Sequence, residues 1–110
     1  MVRGAPAAAR VALVFMLLHG RHIANVAANM SECKGRVVAS LGGDDNVSVL
    51  DYFHVSALTR TDTNYWDSQH YTNDVARILE RDIAAVLAGR APVSAYVRLL
   101  ESAALAVVEP

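Results

Sequence analysis

The segment richest in chemically reactive side chains is Asn64-Tyr65-Trp66-Asp67-Ser68-Gln69-His70-Tyr71. An aspartate three residues before a histidine supplies the two groups of a general-base pair. The Asp67 carboxylate can accept a hydrogen bond from one imidazole nitrogen of His70, which sets the tautomer and leaves the other nitrogen facing a nucleophile. We expect three aromatic neighbours to shield this pair partly from water, namely Tyr65, Trp66 and Tyr71.

Spacing alone leaves a second interpretation of this pair open. Asp-x-x-His arises by chance in many chains, and Asp67 then caps a turn while His70 is an ordinary, partly exposed histidine. The two interpretations differ in where the segment has to lie. Only a general-base pair needs a position beyond the carboxyl end of a strand, because α/β sheets bind their ligands there.

The elements that must position this segment begin with an apolar run over residues 11–18 that shows no polar–apolar alternation. Such a run is typical of a parallel strand covered on both faces. A short buried helix has the same composition, and the arginines before the run also resemble the start of a signal peptide. Apolar residues at three- and four-residue spacing predict a helix over 23–41, and β-branched and aromatic residues predict a strand over 47–53. Two strands joined through a helix predict a parallel βαβ unit.

The second half of the chain predicts a long polar loop and two helices. The loop covers 54–72, and loops of this length are often functional. A helix over 75–87 ends at Gly89, and a last apolar helix over 93–108 begins near Pro92. The predicted fold class is α/β, with a partial three-layer, flavodoxin-like parallel sheet built from the βαβ unit and the C-terminal helices. Residues 1–10 are predicted to be a disordered or truncated tail, and residues 11–110 a portion of one domain.

This order of elements resembles the carboxy-terminal part of the SGNH (GDSL-type) hydrolases. In that family a buried strand, a helix and a short strand ending in Asp are followed by a loop, and an Asp-x-x-His motif opens the last helix. Here the short strand ends at Asp51, and the motif is Asp67-Ser68-Gln69-His70. The resemblance extends over residues 11–87, and its one specific motif is short.

The resemblance implies that His70 is the general base and that Asp67 is the carboxylate that orients it. It also implies a three-layer α/β fold and the hydrolysis or transfer of acyl groups, with an ester or an acetylated glycan as substrate. The sequence contains no Gly-Asp-Ser nucleophile block and no Gly-x-Asn block for the oxyanion. We therefore expect a C-terminal fragment that is inactive alone and that uses no metal or other cofactor.

The alternative interpretation is a non-catalytic α/β interaction module. In that case exposed sheet edges pair with a second copy of the chain or with a partner protein. If the chain is instead a hydrolase fragment, its partner is the missing amino-terminal half. The formal net charge is −1, and the Lys and Arg residues are scattered, which does not indicate nucleic-acid binding. The apolar run is too short to span a membrane. We expect a cytoplasmic location for the chain as it stands, and a periplasmic or secreted one for a longer form.

Five further residues have chemistry that the sequence does not assign. His19, His22 and His54 are predicted to lie at the same end of the sheet as His70, and we expect each of them to be solvated rather than bound to zinc, which would need a third ligand. Asp51 either bonds to loop amides or supports the site. Cys33 is the only cysteine and cannot form an internal disulfide.

Overall fold

The computed structural model of the protein describes residues 9–41, 44–67 and 69–100, which form a mixed α/β fold. Its strands are β1 (Val11–Phe15), β2 (Val47–Asp51) and β3 (Arg98–Leu100), and they lie in the sheet in that order. The helices are α1 (Gly20–Ser40), the short α2 (Ala57–Arg60) and α3 (Asn73–Leu87), and a 3-10 turn covers Asp62–Asn64. The polar loop that the sequence predicts over 54–72 therefore contains two short helical segments.

The β1–α1–β2 unit confirms the parallel βαβ prediction. Val11 lies opposite Val47 and Phe15 lies opposite Asp51, so the two strands run in the same direction and end at the same edge of the sheet. α1 makes the connection between them. It is 21 residues long, yet neither it nor any other helix in the described ranges is long and apolar enough to cross a membrane.

Two apolar clusters lie on opposite faces of the sheet, because alternate side chains of a strand point to opposite sides. Leu50 is fully buried in the larger cluster, which also contains residues of α3 such as Leu79. Its neighbour Val49 is in the smaller cluster, with Val38 and Leu41 from the end of α1. Burying one such aliphatic side chain contributes about 1.5–3 kcal/mol, so these clusters hold α1 and α3 to the sheet.

The middle of α1 is less well covered than its apolar pattern predicts. The buried residues of this helix lie near its ends: Gly20, Ile23 and Val38. Between them, Val26 keeps 39% of its surface exposed. The apolar side chains of α1 are therefore buried mainly near the two ends of the helix.

The helix predicted to begin near Pro92 is wrong over residues 92–100, and residues 101–110 lie outside the described ranges. Asp82 of α3 accepts hydrogen bonds from the backbone N–H groups of Val93 (2.8 Å) and Ser94 (2.7 Å), which holds the chain away from a helical path. The chain then continues into β3, which pairs antiparallel with β2. The described sheet is therefore mixed rather than purely parallel, because β2 gains a partner on its open edge.

Asp82 is completely buried, and four donors satisfy its carboxylate. Besides the two amides, the hydroxyls of Tyr52 and Ser94 each donate to Oδ2 at 2.6 Å. Burial raises the pKa of Asp82, but the hydrogen bonds from Ser94, Tyr52 and the amides outweigh burial and bring the pKa below its ordinary value. Burial is the main cause that raises the pKa of Tyr52, and its hydrogen bond to Asp82 acts in the same direction. A charged group buried in this way is stable only while its donors are in place.

Gly89 ends α3 in the left-handed conformation, with φ +79°, and its N–H donates to the carbonyl of Val86. We expect Gly89→Ala to lower the free energy of unfolding by about 1–2 kcal/mol, because a Cβ is strained in this region of φ. The added Cβ would also lie 2.9 Å from the guanidinium of Arg10, but that flexible group can move. Urea unfolding followed by circular dichroism measures the change.

Gly35 provides the matched control for this substitution. It lies within α1, and a Cβ there would meet no atom within 4 Å. Gly35→Ala should therefore raise the free energy of unfolding by about 0.5–1 kcal/mol, because alanine loses less backbone entropy in a helix. Equal destabilisation by both substitutions would contradict the assignment of the α3 terminus.

Candidate functional site

Asp67 and His70 lie on a short loop whose two sides are hydrogen-bonded to each other. The N–H of Thr72 donates to the carbonyl of Asn64 at 2.9 Å, and the N–H of Trp66 donates to the carbonyl of His70 at 2.7 Å. The backbone therefore reverses within the segment, which brings side chains three residues apart to the same side.

Tyr65 anchors this loop to the end of the sheet. Its hydroxyl donates to the carbonyl of Leu18, just after β1, at 2.9 Å. Its ring is buried and lies 5.2 Å from the ring of His19, and burial raises the pKa of Tyr65 to about 12. The loop therefore lies beyond the carboxyl end of β1, as the sequence predicts for a site in an α/β sheet.

The predicted contact between Asp67 and His70 is present. Nδ1 of His70 lies 2.9 Å from Oδ1 and 2.8 Å from Oδ2 of Asp67. An ionised carboxylate only accepts, so Nδ1 carries the hydrogen and, in the neutral ring, Nε2 carries the lone pair. Within the described ranges Nε2 has no hydrogen-bond partner. This is the arrangement that a general base needs, and the role of the pair in catalysis stays a prediction.

Asp67 also caps the turn that it stands in. Its Oδ1 accepts from the N–H of Gln69 at 2.8 Å and from the N–H of His70 at 2.9 Å. The bond from Gln69 contributes most to lowering the pKa of Asp67, and the bond from the His70 side chain comes next. One carboxylate therefore fits both interpretations of the motif, since it caps the turn and orients the imidazole.

The expected aromatic shielding of the pair is wrong. The side chains of His70 and Asp67 are 72% and 59% exposed, and Trp66 is 74% exposed. Tyr65 and Tyr71 pack into the larger apolar cluster instead of covering the pair. Because solvent screens the exposed contact between Asp67 and His70, this contact contributes little to the stability of the fold.

An open cleft of about 450 Å³ lies beside the loop, and its volume falls within the usual range for small-molecule sites. The start of α1 forms one wall, and the loop from Asp62 to Asp67 forms the other. Asp67 contributes to the lining, while its partner His70 lies outside it. The described lining residues are His19, Arg21, His22, Asn25, Asp62, Tyr65, Trp66 and Asp67.

His19 is buried, so the expectation that it is solvated is wrong. Its Nδ1 accepts from the N–H of Arg21 at 3.2 Å, and its Nε2 lies 2.6 Å from Oδ1 of Asp62. Because Nδ1 accepts, Nε2 carries the hydrogen and donates it to Asp62, whose pKa this bond lowers. Both nitrogens are engaged in capping α1 and bracing the loop, so His19 has no lone pair free to act as a base.

Asp51 has a structural role: it bonds to the backbone after β2 and does not support the Asp67–His70 pair. Its Oδ1 accepts from the N–H of Phe53 at 2.8 Å, and its Oδ2 pairs with Nζ of Lys34 at 2.8 Å. The Asp51 and Lys34 side chains keep only 2% and 12% of their surface exposed. The ion pair thus ties α1 to the end of β2, and no hydrogen bond in the described ranges links it to Asp67 or His70.

His54 also departs from the expected solvated state, because both of its ring nitrogens are buried and neither has a hydrogen-bond partner among the described residues. The sequence around His54 does not indicate that its ring nitrogens are buried, because His54 follows a strand and begins a polar segment. In the described part of the chain, no group of three or more His, Cys, Asp or Glu side chains is arranged to hold a metal ion.

Comparison of the sequence with protein-family models, curated proteins and solved structures found no match. The resemblance to SGNH hydrolases therefore stays a prediction that depends on the motif and on the order of elements. What the geometry adds is the contact between Asp67 and His70 and the cleft next to it.

Proposed function

We propose that this chain is the carboxy-terminal part of an SGNH-like ester hydrolase or acyltransferase, and that it supplies the general base. The observation that carries the proposal is the contact between Asp67 and Nδ1 of His70. In this role Nε2 of His70 takes the proton from a serine hydroxyl as the oxygen attacks the ester carbonyl, and Asp67 stabilises the imidazolium that forms.

The serine and the oxyanion donors belong to a preceding segment of the same protein. No Gly-Asp-Ser block surrounds any serine of this sequence, and Ser68 lies between Asp67 and His70. Catalysis of acyl transfer needs both an activated nucleophile and donors aimed at the oxyanion, so the base pair alone produces no turnover.

The proposed whole fold is the three-layer, flavodoxin-like sheet, in which a further strand pairs with β1. Among the described strands β1 pairs only with β2. Its residues are all apolar, yet each of them is only half-buried. Central parallel strands have apolar residues on both faces and a neighbour on each edge, so the composition of β1 suits a more central position than it has among these strands.

The cleft beside the loop is the proposed site for the acyl substrate. Arg21 and Asn25 provide hydrogen-bond donors on one wall, and the exposed indole of Trp66 provides an apolar surface on the other. An ester of a polar molecule, such as an acetylated glycan, matches this mixture of donors and aromatic surface.

Labelling of the isolated chain with a fluorophosphonate probe tests the claim that it lacks the nucleophile. We expect no serine to be labelled and no hydrolysis of p-nitrophenyl acetate beyond that of the His70→Ala variant. A labelled serine in the isolated chain would show that it is a complete hydrolase, which contradicts the proposal. The same probe should label the Gly-Asp-Ser serine when the preceding segment is expressed with this chain.

A second candidate function, the non-catalytic interaction module, is favoured by exposed apolar side chains. Met16, Val26 and Leu99 each keep about two fifths of their surface exposed. An interface that covered them would make the chain a stable oligomer, which light scattering after gel filtration detects. A dimer that Val26→Lys dissociates, in a chain with no preceding nucleophile segment, would favour this function over hydrolysis.

A further inference from the structure

The imidazole of His54 lies just beyond β2, and neither of its ring nitrogens makes a well-formed hydrogen bond to a described residue. Both ring nitrogens are inaccessible to solvent and have no partner in the described ranges. A buried polar group without a partner destabilises the fold, and a buried charge without a partner destabilises it more. The folded chain therefore accommodates the neutral ring more easily than the protonated one.

The charged groups that face His54 come from three elements and are mostly positive. Lys34 of α1 and Arg98 of β3 are cations, and Asp51 at the end of β2 is the anion. Asp51 is already occupied, because it pairs with Nζ of Lys34 and accepts from the N–H of Phe53. A proton on His54 thus adds a third positive charge around a single carboxylate.

We propose that His54 is a pH-sensing residue whose protonation releases the beginning of the loop that leads to the cleft. To gain water or a partner, the imidazolium has to leave its buried position, and the backbone on either side of it must move. This inference is independent of the proposed hydrolase function, since it depends only on the surroundings of His54.

The backbone of His54 connects its side chain to the wall of the cleft. The carbonyl of His54 accepts from the hydroxyl of Thr59 in α2 at 3.0 Å, and the same hydroxyl accepts from the N–H of Ser56 at 2.8 Å. The carbonyl of Thr59 in turn packs closely against Gly20, where α1 begins beside the cleft. Displacement of His54 therefore loosens α2 and the contact between α2 and the start of α1.

The direction of the pH dependence follows from the burial of the ring. Burial is the main cause that lowers the pKa of His54 below its ordinary value of 6.5, and the charge of Arg98 acts in the same direction. The charge of Asp51 and the backbone of Val55 act in the opposite direction, but burial outweighs them. The unfolded or released chain therefore binds the proton more readily than the folded chain. The stability of this region is complete above pH 6.5 and declines as the pH falls toward the lowered pKa of His54.

The test combines a titration with amide hydrogen exchange in the full chain. We expect the NMR signal of the His54 ring to titrate below pH 6.5. After correction for intrinsic rates, amides of residues 54–65 should exchange at least about threefold faster at pH 5 than at pH 7.5, because the released chain binds a proton in this range more readily than the folded chain does.

The variant His54→Phe keeps a ring of similar size and removes the titration, so its amides over 54–65 should change less than twofold between these pH values. The control His22→Gln should respond to acid as the unchanged chain does. Titration of His54 at or above pH 6.5, or an equal acid response in His54→Phe, would overturn the proposal. If His54→Phe fails to fold, the titration in the unchanged chain decides the question alone.

Discussion

Asp82→Ala is expected to lower the free energy of unfolding by about 3–5 kcal/mol, the range for removing one partner of a buried charged network. The carboxylate is completely buried and receives four hydrogen bonds, from Tyr52, Val93 and Ser94. Alanine leaves the buried tyrosine hydroxyl without its acceptor and the two amides without theirs. Urea unfolding monitored by circular dichroism gives the change.

Two matched variants show whether this loss comes from the network. Asp82→Asn keeps an acceptor oxygen and should lose less stability than Asp82→Ala. Asp74→Ala removes another aspartate of α3 whose side chain is exposed and paired only with Arg77, so it should cost less than about 1 kcal/mol. If Asp82→Ala cost no more than Asp74→Ala, the proposed anchoring of residues 92–97 by Asp82 would be wrong.

His70→Ala should lower kcat/KM for ester hydrolysis about 10²–10⁴-fold in the protein that combines this chain with its nucleophile segment. The reason is that Nε2 of His70 is the proposed acceptor of the serine proton, while Nδ1 is held by Asp67. Asp67→Asn should also reduce the rate, because an amide cannot hold the imidazole and stabilise its charge as a carboxylate does. Steady-state kinetics with p-nitrophenyl acetate measure both effects.

Glu80→Ala is the control for these variants, because Glu80 is an exposed residue of α3 that lies outside the pair and the cleft. It should keep the activity of the unchanged protein. A His70→Ala variant that hydrolyses esters as fast as Glu80→Ala would remove His70 from the mechanism, even if the serine is confirmed.

The order of the first elements could be predicted from the sequence because their patterns are local. Each of these elements is indicated without reference to the rest of the chain. The apolar run indicates β1, the helical spacing indicates α1, and the β-branched residues indicate β2. β3 could not be predicted in this way. Residues 92–97 are held by the buried carboxylate of Asp82, and an aspartate within an amphipathic helix gives no signal of which backbone it will bind.

The same distinction applies to the site. Asp67 and His70 are three residues apart on one turn, so their contact follows from spacing. Their exposure depends on where the neighbouring aromatic rings go, and Tyr65 and Tyr71 are drawn into the apolar cluster. The burial of the two ring nitrogens of His54 likewise depends on packing in the folded chain, which no pattern within its own segment indicates.

The measurement that tests the central claim most directly is the coding sequence that precedes the codon for Met1, read in the same frame. The proposal that Asp67 and His70 serve a nucleophile on a preceding segment predicts an open frame that encodes a Gly-Asp-Ser block followed by a Gly-x-Asn block. A stop codon in that frame directly before Met1 would contradict the proposal and leave the interaction module as the better explanation of the chain.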